Sequence, residues 1–301
     1  MEPRFIANDF SPLFTIDNNE DHLKQALDNI VTTLPPRDQY PVLKGLWAGP
    51  TGFAYLFLHV HSRYPDLKVN GLCAIGWAKR YIEGDRSHLP LESRCGIGCE
   101  TLAFLAVRAA ILHDPTDVQR FISIISTIVE DKQYPDEVLQ GRSGTLYLLR
   151  VIRHWFPRSS LLVEDIVQSV TQAILAHGQD WKWHGKRYWG AVHGDIGIVT
   201  QVVLTTPSLA PTLEEKLAQI LELQLPSGNW SSSEDTQRSC LVQFCHGAPG
   251  FLHSLNVLQQ YFPKMQAEIG AAIERGRECI WKEGLLVKEP SICHGIFGNA
   301  L

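Results

Sequence analysis

The chain has 301 residues, 45% of them hydrophobic and 20% charged, with 23 Gly and 17 Pro; this balance is that of an ordinary globular protein and excludes a disordered, collagen-like or disulfide-stapled chain. Its 27 basic and 32 acidic side chains leave a formal charge of −5, which offers no general attraction to a phosphate backbone, so nucleic acid is not an expected partner. No run approaches the roughly 18 uninterrupted apolar residues of a membrane-spanning helix, the start MEPRFIANDF lacks a secretory pattern, and seven cysteines form no even framework; the expectation is a cytoplasmic chain whose cysteines are thiols, metal ligands or small buried hydrophobes.

Two kinds of segment alternate along the chain. Residues 19–32 carry apolar side chains at three- and four-residue spacing with charges on the other face, and residues 53–61 are a mainly apolar segment with helix-compatible spacing. The apolar kind returns at 101–112, 145–155, 198–204 and 251–261, and the amphipathic kind at 118–129, 161–177, 213–223 and 265–281. Such periodicity predicts inner helices packed on all sides and outer helices half in water. Each inner segment follows a pair of glycines three apart: Gly49 and Gly52, Gly141 and Gly144, Gly194 and Gly197, Gly247 and Gly250, Gly295 and Gly298. A degenerate copy lies at Cys95, Gly96, Gly98 and Cys99, with Cys99 in the slot of the second glycine. The copies recur about every 45 to 53 residues, so one repeat is one helical hairpin. No convincing strands are visible. Six hairpins cannot bury their apolar faces singly, and the expected architecture is all-α: a single domain over residues 1–301, an α/α toroid in which the glycine turns meet around one mouth.

The chemistry collects at those turns. Cys245 and His246 precede Gly247, and Cys293 and His294 precede Gly295. Thiolate sulfur and imidazole nitrogen suit zinc; four ligands would make a closed structural site and three an open catalytic one, and spacing does not choose between them. His193 precedes Gly194 in the same way and is placed to act as a general acid or base beside the metal. One repeat earlier, Asp136 or Glu137 could orient His193, and Arg142 could fix a carboxylate ligand bidentately.

The segments 135–144, 189–194, 226–230, Cys245-His246-Gly247-Ala248-Pro249-Gly250 and Cys293-His294-Gly295 carry a resemblance to the lanthionine synthetase C-like proteins, especially the eukaryotic branch. The resemblance implies an α/α toroid with zinc held by Cys245, Cys293 and His294, leaving His246 outside the ligand set. It implies thiol addition to dehydroalanine or dehydrobutyrine, forming a thioether, with glutathione or a cysteine as the thiol and a peptide or protein as the electrophile. His193 would supply the α-carbon proton with Glu137 or Asp136 setting its tautomer, and Arg4, Lys288, Ser227 and Asn229 match the branch's glutathione neighbourhood. Arg4, Arg142 and Lys288 would supply the positive charge an anionic tripeptide needs. The family carries a seventh hairpin beyond Gly298, so six of seven repeats are expected, with a protein partner or self-association at the open end of the ring. A different class of function is a zinc-stabilised scaffold that binds peptides or proteins without turnover. A glycoside hydrolase would need paired carboxylates on neighbouring turns, which this chain scarcely offers.

Overall fold

The structure is a computed structural model and describes residues 4–9, 19–178, 180–235 and 242–300. Its helices are α1 (Asn19–Thr33), α2 (Pro50–Arg63), α3 (Ala74–Tyr81), α4 (Glu100–Leu112), α5 (Pro115–Ile128), α6 (Arg142–Trp155), α7 (Glu164–Ala176), α8 (Asp195–Thr205), α9 (Glu214–Glu222), α10 (Ala248–Leu258), α11 (Gln266–Glu283) and α12 (Ile296–Asn299). The all-α class read from the repeat holds. Only a two-residue antiparallel pair, β1 (Lys68–Val69) with β2 (Leu72–Cys73), interrupts it among the described residues. No helix there is long and apolar enough to cross a membrane.

Inner and outer helices differ as their sequences require. In α4, Leu102, Ala103, Phe104, Leu105, Ala106 and Val107 are all fully buried, so every face of the helix meets protein. By contrast α5 buries Val118, Phe121 and Ile125 on one stripe, each contributing about 1.5–3 kcal/mol relative to exposure. Asp114 starts α5 by accepting from the Thr116 amide at 2.8 Å, with Pro115 in the first turn, where its missing N–H does no harm. Prolines also open the 3₁₀ turns at Pro157–Val163, Pro207–Leu213 and Pro263–Met265, so α7 begins three residues, and α9 and α11 one residue, later than the periodicity alone suggests.

Two details of the repeat differ from the sequence reading. Helix α3 was not expected: it is only eight residues long and contains Gly76, too short a window for a 3.6-residue period to register. Cys99 occupies the N-cap of α4, the position that Gly49, Gly194, Gly247 and Gly295 take in their repeats. It therefore stands in the first glycine slot, not the second. Its φ is −79°, which any residue adopts, and burial pushes its thiol up to about 11.

Contacts divide the chain into two compact units. In the unit made of Ser11–Tyr134 and Leu148–Ser169, buried Glu100 at the start of α4 ties the first two repeats together. It accepts from the Gly45 amide at 2.8 Å, Thr51 Oγ1 at 2.6 Å and Arg86 Nε at 2.9 Å. The unit made of Met1–Phe10, Pro135–Tyr147 and Val170–Leu301 contains every residue singled out above for chemistry.

Candidate metal and acid–base centre

The site is assembled by a backbone device used in several repeats. The loop before an inner helix folds back so that its carbonyls accept from the first-turn amides: Arg142 N to Pro135 O at 2.9 Å, Asp195 N to Tyr188 O at 3.0 Å, and Gly298 N to Ser291 O at 3.3 Å. The loops satisfy donors that a helix start leaves orphaned, and the residues before the glycine need not cap with their side chains. Neighbouring loops also lock to each other. Val138 N donates to Val192 O at 3.0 Å, and Cys245 N donates to Cys293 O at 2.9 Å. A Cβ on Gly190 would stand 2.2 Å from Cys245 O, so only glycine lets those two loops meet. Gly247 is needed for conformation, with φ of 139° at the N-cap of α10.

Stacking the loops brings ligand atoms of Cys245, Cys293 and His294 within 4.8 Å of one another. Cys293 donates to the Cys245 sulfur, which holds the Cys245 thiol below its ordinary range and drives Cys293 above it; Lys288 favours the thiolate of both. Gln243 Nε2 points at Cys245 Sγ from 3.5 Å. Glu289 Oε1 is 2.9 Å from His294 Nε2, which leaves Nδ1 as the remaining ring nitrogen and supplies the carboxylate partner that ligating histidines commonly have. Zinc bonds of about 2.3 Å to sulfur and 2.0 Å to nitrogen set tetrahedral donors roughly 3.5–3.8 Å apart. Two thiols and an imidazole are donors that ion takes, and here they lie within 4.8 Å of one another. His246 is not part of the cluster. Burial, and then the charge of His193, push it down to about 4, so it is a neutral imidazole.

His193 lies beside His246, the residue that follows Cys245. Its Nδ1 is 2.6 Å from Glu137 Oε2, and its ring centroid is 5.8 Å from that of His246. Glu137 is 2% exposed, and its carboxylate also accepts from the Leu139 amide at 2.9 Å and from the Gln140 amide. Two backbone donors thus aim the carboxylate, and the carboxylate aims the imidazole. Trp183 stacks on the His193 ring with centroids 4.0 Å apart.

The other expected residues divide. Asp136 does not reach His193. It binds His177 Nδ1 at 2.7 Å and Arg142 Nη1 at 3.0 Å, and burial raises its pKa against the pull of both partners. Arg142 is 2% exposed and is taken up by Asp136 and the Pro135 carbonyl, which places it in the loop's support instead of at a ligand carboxylate. Asn229 is fully buried, and its Oδ1 accepts from the Ala248 amide at 2.8 Å, so it caps α10 from another segment. Ser227 is exposed and its Oγ accepts from the Asn229 amide at 3.4 Å. Arg4 and Lys288 are exposed, and the segments that carry them pair through the backbone: Phe5 bridges Leu286, and Val287 N donates to Arg4 O at 3.1 Å. Sequence reasoning missed His177, Gln243, Glu289 and Trp183. Of these only Trp183 carried a local signal, the His184-Gly185 turn that follows it.

Paired helices present, at successive glycine turns, a Cys₂His group able to hold a metal ion and a carboxylate-bound histidine. Residues 44–301 match the family described as lanthionine synthetase C-like protein, and the chain belongs to that family. Glutathione S-transferase LANCL1 of Danio rerio is 29% identical over 316 residues, covering 95% of this chain and 74% of the relative. LanC-like protein GCL1 of Arabidopsis thaliana is 30% identical over 221 residues, 65% of this chain and 50% of the relative. The chain thus spans about three quarters and one half of these two relatives. A solved structure described as a possible member of the GH105 family from Salmonella enterica covers 90% of this chain and 83% of that one, with a TM-score of 0.48 and 14% identity; so slight a likeness bears on neither fold nor function.

Proposed function

We propose that this chain is a zinc-dependent transferase that adds the thiol of glutathione, or of a cysteine, to the β-carbon of dehydroalanine or dehydrobutyrine in a peptide or protein. One observation carries the reading: a three-donor cluster of Cys245, Cys293 and His294 in the same stack of loops as the His193–Glu137 pair. Zinc held by those three donors supplies the Lewis acidity that keeps a thiol ionised at neutral pH. Three protein donors are also the complement of a catalytic zinc site, where four make a structural one.

The chain's own residues account for the proton. Because Glu137 holds Nδ1–H, Nε2 is the nitrogen through which His193 exchanges protons. Thiolate addition forms the C–S bond at the β-carbon and leaves the electron pair on the α-carbon as an enolate. Imidazolium His193 gives its Nε2 proton to that carbon and is left neutral; the proton lost by the incoming thiol restores it. The sum is one thiol plus one alkene giving one thioether. Lys288 and Arg4, on two segments joined by the Phe5–Leu286 bridge, complement the carboxylates of glutathione. The relative named as a glutathione S-transferase favours that tripeptide over other thiols, and the working compartment of such chemistry is the cytoplasm.

Metal content tests the reading. Wild type is expected to hold one zinc per chain; Cys245→Ala, Cys293→Ala and His294→Ala lose it, and His246→Ala keeps it. Glutathione addition to a dehydroalanine peptide should vanish with the metal and fall steeply in His193→Ala with zinc retained. Equal zinc loss in all four variants, or wild-type turnover after chelation, refutes the proposal.

A further inference from the structure

The bond from Glu137 fixes one atom of the His193 ring and leaves its plane free. A histidine's terminal torsion is broad, so a ring held only at Nδ1 can swing Nε2 through a wide arc. Trp183 covers that plane most closely, its indole lying on the imidazole with centroids 4.0 Å apart and planes within 4°, while His246 and Tyr188 flank the ring from 5.8 and 6.4 Å. A tight turn delivers it. Trp183 N donates to Lys186 O at 2.8 Å and Lys186 N to Trp183 O at 3.1 Å, with φ of 50° at His184 and 74° at Gly185. Positive φ at both central residues is the I′ geometry that closes a two-residue hairpin. Nothing lies within 4 Å of a Cβ built on Gly185, so glycine serves the backbone angle there and not a close approach. Tyr188 backs the indole edge-on at 5.7 Å, and is itself anchored by its bridge to Ser233.

We propose that Trp183 is a positioning residue: the turn of residues 183–186 presses its indole on His193, so that the Glu137 bond and the stack together aim Nε2. This rests on the acid–base role given to His193 above. It makes the turn of residues 183–186 a determinant of turnover.

The test combines NMR of histidine-labelled protein with kinetics of glutathione addition to a dehydroalanine peptide, for wild type, Trp183→Leu, Trp183→Phe and Gly185→Val. In wild type the His193 ring protons are expected upfield, under the indole, with a slowly exchanging Nδ1–H. Trp183→Leu should abolish the upfield shift, speed Nδ1–H exchange and lower kcat by about ten- to a hundredfold with KM for glutathione little changed, the cost of a misaimed group. Trp183→Phe, which keeps a stacking face, should retain most of both. Gly185→Val should mimic the leucine variant with the indole still present, which separates presentation from bulk. Unchanged Nδ1–H exchange in Trp183→Leu overturns the proposal, as does an unchanged kcat. If wild type shows no thiol addition, the acid–base reading fails by itself, and the NMR comparison still decides whether Trp183 holds the ring.

Discussion

Asn229 separates two accounts of one residue. By family resemblance it neighbours glutathione; by structure it closes the start of α10, the helix that follows Cys245. Its Oδ1 takes the Ala248 amide at 2.8 Å, and both Asn229 and Ala248 are fully buried, so Asn229→Ala strands an N–H that water cannot reach. An orphaned buried donor costs about 1–3 kcal/mol, and the small void left by the amide adds to it, for a loss of roughly 2–3 kcal/mol. Urea unfolding would measure that loss. Asn229→Asp, which keeps an acceptor oxygen at the helix start, should lose less than the alanine variant. The loop carrying Cys245 is tied to the same turn, so zinc retention in a competing chelator should weaken alongside stability. KM for glutathione should stay within about twofold, since the amide is spent inside the protein. Stability within about 0.5 kcal/mol of wild type together with a large rise in KM would sink the argument and return Asn229 to the ligand.

Glu137→Gln keeps the shape of the side chain and turns one acceptor into a donor against His193 Nδ1. Turnover should fall by about 10²–10⁴, as when a histidine is left in the wrong tautomer, while zinc content is unchanged. Arg142→Met leaves Asp136, already short of solvent, without its strongest partner; breaking a buried pair from one side costs about 3–5 kcal/mol, and thermal unfolding should show it, with KM for glutathione unaffected in whatever protein remains folded. Tyr81 donates to the Leu34 carbonyl at 2.8 Å, and burial raises its phenol to about 12. The folded state then keeps a proton that the unfolded state gives up near pH 10, so stability falls as pH rises from about 10 to 12. Urea unfolding across that range should show a shallower decline in Tyr81→Phe.

Much of the candidate site is legible in the sequence. Cys245, Cys293, His294 and His193 stand at fixed offsets before a glycine, and offset in a repeat translates into position in space because each hairpin repeats the same backbone path. Asp136 and Glu137 could not be told apart in this way. They are adjacent, and the course of the loop sends one to His177 and the other to His193. Arg142 resembled a ligand clamp because its charge is visible in sequence while its burial beside Asp136 is not. Glu289 and Gln243 gave no signal, since a partner five residues from His294 in an irregular loop obeys no period.

Local chemistry thus determined the helices and their alternation: the apolar period selects inner and outer faces, glycine permits the turns, and Cys and His carry their reactivity with them. Which donor meets which acceptor was decided by the tertiary structure. Contacts such as Gly190 on Cys245, Asn229 on Ala248 and Trp183 on His193 join residues from separate loops, and a hydrogen bond or ring stack exists only once packing has brought both partners within a few ångströms.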